Sequence, residues 1–119
     1  MESASAAQVA RVQRVVRNLM RIFGEGRYEE FVSAAQSSRL TAESIKRGLK
    51  RYRYTPRVPP PEAYESIDGV RIENAPYPAW SIDVPVWTVE SGCSDLEVQM
   101  AVSLKDDQVL VELQDLLIP

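Results

Sequence analysis

Two aspartates and three aromatic rings are the residues through which this chain could do chemistry. Asp83 and Asp95 lie near opposite ends of neighbouring strand candidates, and Tyr28, Trp80 and Trp87 could wall a pocket around them, since a binding pocket needs apolar walls and a few polar groups. A carboxyl pressed against an indole loses hydration, which raises its pKa and fits it for general-base work. The competing reading leaves Asp83 as a solvated outward strand residue and has Asp95 bonding the backbone of the Ser91–Ser94 turn, the common role of aspartate beside turns.

The rest of the inventory excludes chemistries. The 119 residues contain no histidine, so there is no Ser-His-Asp or Cys-His pair, no imidazole metal ligand and no side chain whose unperturbed pKa lies near neutrality. Cys93 is the one cysteine, which rules out an intrachain disulfide and a zinc site built on several thiolates and makes a reducing cytoplasm the expected location. It follows Gly92 in a turn and reads as a tolerated loop residue. Gly24-Glu25-Gly26 begins like a dinucleotide fingerprint but lacks the third glycine and follows a helical pattern, and a helix break accounts for it. There is no phosphate-binding loop of the Walker type, and Asp106-Asp107 alone make a poor calcium site. No catalytic residue, metal or cofactor is expected.

Charge is distributed unevenly. Residues 1–58 hold twelve basic and five acidic residues, net +7, and residues 59–119 hold two and twelve, net −10. The basic side chains Arg11, Arg14, Arg17 and Arg21, with Lys46 and Lys50 further on, would form a face able to follow a phosphate backbone. The overall acidity and the lack of aromatic residues beside these cations argue against nucleic acid as the partner.

The elements that must position these residues are readable from hydrophobic period. Val9, Val12, Val16, Leu19, Met20 and Phe23 recur at helical spacing, which favours a folded helix over the transit peptide that the Arg-rich, acid-poor start resembles in composition. Gly24 and Gly26 end it. Tyr28, Phe31, Val32 and Ala35 mark a short second helix. Thr41 caps a third, with Glu43 in its first turn, a stripe of Ala42, Ile45, Leu49 and Tyr52, and basic residues around the remaining circumference. Pro59-Pro60-Pro61 closes the helical half.

Beyond it the period becomes two. Trp80, Ile82, Val84 and Val86 form one alternating face, with Pro85 implying an edge or a bulge. Leu96, Val98, Met100, Val102 and Leu104 form a second, and Val109, Val111 and Leu113 a third, joined by the Lys105-Asp106-Asp107 turn. Ile67 to Glu73 gives a weaker strand. The prediction is an α+β fold of three N-terminal helices packed on a curved antiparallel meander of three to four strands. It forms one domain over residues 1–119: a basic helical half (1–58), a Pro-rich connection (59–63) and an acidic sheet (64–119). No run reaches the ~18 apolar residues that span a bilayer, so no membrane partner is expected.

Trp80-Ser81-Ile82-Asp83-Val84-Pro85-Val86-Trp87-Thr88, followed by Glu90-Ser91-Gly92-Cys93-Ser94-Asp95-Leu96, resembles the signature of a bacterial family of unknown function. Gly26-Arg27-Tyr28-Glu29, Arg39 to Glu43, the Pro59-Pro60 pair and Val111 to Leu116 follow in that family's order. The chain differs at Cys93, where a basic residue is usual, and at Leu117, where histidine is common. More distantly, the order of helices and strands is similar to the cystatin-like cone of nuclear transport factor two, which would imply a sheet wrapped around a helix.

The wet face of the sheet carries the remaining expectation. Asp83, Glu97, Glu112 and Gln114 would surround Trp87, Ala101, Leu110 and Leu116, an apolar centre within an acidic rim of the kind that interfaces use. This points to a binding module that self-associates as a homodimer or neutralises a basic protein partner. The alternative is a small-molecule-binding cone with acid/base chemistry on Asp83 or Asp95.

Overall fold

The computed structural model describes residues 1, 3–65 and 67–119. Helix α1 spans Ala6–Gly24 and starts at a reciprocal cap, in which the Ser5 hydroxyl accepts from the Gln8 amide and the Gln8 side chain accepts from the Ser5 amide. Such pairing satisfies two donors that a helix start leaves free. The expected stripe is buried from Val12 to Phe23, with Ile22 added. Helix α2, Tyr28–Ala34, is seated by Phe31, whose ring meets Phe23 edge-on at 5.0 Å. Helix α3, Ala42–Tyr52, begins at the Thr41 cap and ends at Arg53 in the left-handed conformation. A side chain at Gly24 would collide with the Arg57 carbonyl, so the end of α1 rests directly on the chain leaving α3.

Five strands follow or interleave: β1 (Ser37–Ser38), β2 (Gly69–Arg71), β3 (Ala79–Thr88), β4 (Gly92–Lys105) and β5 (Gln108–Leu117), in the spatial order β1-β5-β4-β3-β2. The α+β architecture is as expected, helices first and sheet after. The sheet is wider than the pattern indicated and mixed, because β1 pairs parallel with β5 from within the helical half. Two residues are too few to show a period.

Alternation is kept along β3 and β4: Trp80, Ile82, Val84, Val86, Leu96, Val98, Met100, Val102 and Leu104 are all buried. They share one core with the apolar faces of the three helices, so the helices cover a single face of the sheet. Pro85 stands at a register shift between β3 and β4, beyond the last pairing of β2 with β3, which is where a residue lacking an N–H fits. A second shift lies between Gln99 and Met100, which pair with Asp115 and Leu113, leaving Gln114 as the extra residue. That bulge corrects one expectation. Leu116, assigned by strict alternation to the wet face, is turned inward and is 8% exposed. A side chain added at Gly48 of α3 would come within 3.2 Å of it.

Where β2 stops, a strap takes over the edge of β3. The Arg57 amide donates to the Trp87 carbonyl and the Val89 amide to the Thr55 carbonyl, both at 2.9 Å. The Tyr64 hydroxyl donates to the Pro85 carbonyl at 2.8 Å. No helix among the described residues is long and apolar enough to cross a membrane.

Candidate functional site

The face of the sheet turned away from the helices is the candidate site. Strand pairing lays out its side chains in rows about 4.8 Å apart from strand to strand. One row runs Val70, Ser81, Ala101, Glu112 and Ser37; the next holds Asp83, Gln99 and Asp115; the next holds Pro85, Glu97 and Leu117; Trp87 faces Cys93 at the far end. Leu110 lies beside Ser103 at the opposite end. Most of the expected interface residues therefore do share one face: Trp87, Glu97, Ala101, Leu110 and Glu112. Leu116 leaves the set.

The acids on this face differ in what they hold. The Asp95 carboxylate accepts from the Tyr54 hydroxyl at 2.8 Å, so its partner is the strap and not the Ser91–Ser94 turn. That turn is stabilised instead by the Thr88 hydroxyl, which accepts from the Ser91 amide at 3.1 Å, and by Gly92 at φ 66°. Ser94 donates to the Val86 carbonyl at 2.7 Å across the Pro85 irregularity. Glu90 accepts from the amide and the hydroxyl of Thr55, at 2.7 and 2.8 Å, and these bonds hold its pKa below the ordinary range. Much of the signature segment thus fastens the hairpin tip to the strap. Glu112 lies 3.8 Å from Arg39, and Asp115 accepts from the Leu116 amide at 2.8 Å.

Asp83 and Glu97 are different. Neither carboxylate makes a hydrogen bond or ion pair among the described residues. Diagonal neighbours across the β3–β4 ladder, they stand roughly 7–8 Å apart by strand geometry. Partial burial pushes the Glu97 pKa up, and the charge of Asp83 adds to the effect. They border an open hollow of about 590 Å³ whose other walls include Asp68, Val70, Ser81 and Pro85, with Met1 at its rim.

The pocket expected from Tyr28, Trp80, Asp83 and Asp95 does not assemble. Trp80 is fully buried on the helix side, with the Arg71 guanidinium 5.3 Å from its ring centre, whereas Asp83 and Asp95 are exposed on the other side. Successive strand residues point to opposite faces, so Trp80 cannot wall a site containing Asp83. Tyr28 sits on α2 against Phe23, at 5.4 Å, and burial pushes its phenol pKa up. Trp87 is half-buried with Arg57 over its ring at 5.3 Å.

The basic face also divides. Arg11 lies 3.8 Å from Asp107, Arg17 donates to the Ala63 carbonyl at 3.2 Å, and Arg21 bonds Glu25 and Asn18. Arg14 is exposed. On α3, Lys46, Arg47, Lys50 and Arg51 are exposed and make no ion pair among the described residues. Sequence reasoning passed over Asp68 and Asp115. The polar pair Gln114-Asp115 between Leu113 and Leu116 was the available signal, since it breaks the period of two by one residue. No cluster of three metal-ligating side chains occurs among the described residues.

Residues 20–119 match the family described as Domain of unknown function (DUF7668). No curated protein and no solved structure matches the chain.

Proposed function

Because the chain belongs to this domain-of-unknown-function family, kinship assigns it no activity, and we propose from its surface that it is a binding module whose open sheet face docks a basic protein surface. The observation that carries this reading is the pair Asp83 and Glu97, unpaired on a sheet face that none of the three helices covers. Around them Asp68, Asp95, Glu112 and Asp115 add negative charge, while Ala101, Leu110, Leu117 and Trp87 supply apolar contact. Such a field speeds encounter with cations and selects against acidic surfaces. A symmetric homodimer across this face would bring the same carboxylates together, so a positively charged surface is the better occupant at neutral pH. A module of this kind would neutralise or position a basic partner in the cytoplasm.

Titration with an oligolysine peptide, followed by backbone amide shifts, tests the reading. Exposed charge pairs contribute about 0.2–1 kcal/mol each, so Asp83→Asn/Glu97→Gln should weaken binding several-fold, with shifts centred on β3 and β4. The control Glu29→Gln/Glu30→Gln removes two acids from α2 and should leave affinity unchanged. Equal weakening by both pairs would reduce the effect to net charge and overturn the proposal.

The volume of the hollow beside Asp83 lies within the range of small-molecule sites. This favours, as a second reading, a small cationic ligand held by Asp83 and Glu97, without Trp80, Tyr28 or Asp95. Native mass spectrometry of freshly purified protein would show such a ligand as added mass, lost in Asp83→Asn/Glu97→Gln.

A further inference from the structure

We infer that the basic surface fitting the sheet face is carried by a second copy of this chain, on the exposed side of α3, so that copies associate head to tail; this rests on the docking role proposed for the sheet face. The two poles are complementary, and each is left unneutralised within its own molecule. Lys46, Arg47, Lys50 and Arg51 are exposed without an ion pair among the described residues, and exposed Asp83 and part-buried Glu97 form none either. On α1, Arg11, Arg17 and Arg21 are engaged within the chain, which leaves Arg14 as a single exposed cation against the cluster of four on α3.

Spacing agrees as well as sign. Lys46 and Lys50, one turn apart, present ammonium groups from Cβ atoms about 6 Å apart. Successive outward rows of the sheet repeat every two residues, about 6.7 Å, so a cation on each turn of α3 can face a carboxylate row. Ile45 and Leu49 bury the other side of α3 in the core, which aims the basic side outward.

The contact joins two different surfaces, so each junction leaves one acidic face and one basic helix open. A symmetric dimer would not. Exposed charge pairs are screened over about 8 Å at physiological salt, so association should be strongest at low ionic strength.

Sedimentation at rising concentration in low salt, with neutralising variants, tests the inference. Wild type should gain weight-average mass above the 13.4 kDa monomer. Asp83→Asn/Glu97→Gln and Lys46→Gln/Lys50→Gln should each remain monomeric, with unchanged circular dichroism showing that both fold. Mixed in equal amounts, they retain one intact junction and should form a complex of twice the monomer mass that grows no further. Monomeric wild type, a helix variant that associates like wild type, or a mixture that stays monomeric would each overturn it. Oligolysine binding at Asp83 and Glu97 in a strictly monomeric protein would sink this inference alone, and loss of both would remove the docking role too.

Discussion

Glu90, in the β3–β4 turn, and Glu97, opposite Pro85 within β4, are shifted in opposite directions, and this gives opposite pH behaviour. Bonds from Thr55 hold the folded pKa of Glu90 below the ordinary 4.5. Its contribution to stability is therefore complete above 4.5 and is lost as pH falls through the lowered folded value. Burial raises the folded pKa of Glu97, with Asp83 assisting. Folding disfavours its charge, so that penalty is absent below 4.5 and develops as pH rises through the raised value. Glu90→Gln should accordingly melt below wild type at neutral pH and Glu97→Gln above it. Both differences should close in acid; thermal melts from pH 3 to 7 check this. At this scale the sequence showed which side chains carry charge and which turn holds Ser91-Gly92. It did not show that Asp95 meets Tyr54, a contact created only when the strap crosses the hairpin.

Elements were legible where period ran long enough to declare itself. Helix α1, the Thr41 cap of α3 and the buried face of β4 all follow from spacing and capping chemistry. The parallel β1 was not legible, because two serines have no pattern and their pairing with Glu112 and Leu113 depends on how α2 docks. The bulge at Gln114 matters more for the site, since it decides which face Leu116 joins. Deleting Gln114 should restore a regular β4–β5 ladder with Leu116 still inside, at a cost no larger than the about 0.5–3 kcal/mol of an ordinary substitution. Deleting Ala101 should instead invert one arm of β4, exchanging buried and exposed side chains, and leave no cooperative unfolding transition. Denaturant titration of the two deletions separates these outcomes.

Across the molecule, the division of charge read from the sequence becomes a division between layers, with basic α3 outward on one side and the acidic sheet face on the other. Like charges crowd within each layer, and crowding destabilises the compact state. Raising sodium chloride from about 10 to 150 mM shortens the Debye length from about 30 to 8 Å, so at protein concentrations too dilute for association the melting temperature should rise across that interval. Short β2 and the strap together occupy most of the outer margin of β3. With so little free backbone along the β3 margin, that edge offers a poor template for another strand, whereas β1 covers only the middle of β5. Edge-to-edge templating needs two open margins to propagate, so covering the β3 side works against fibril growth, and encounters at that margin must be read through side chains.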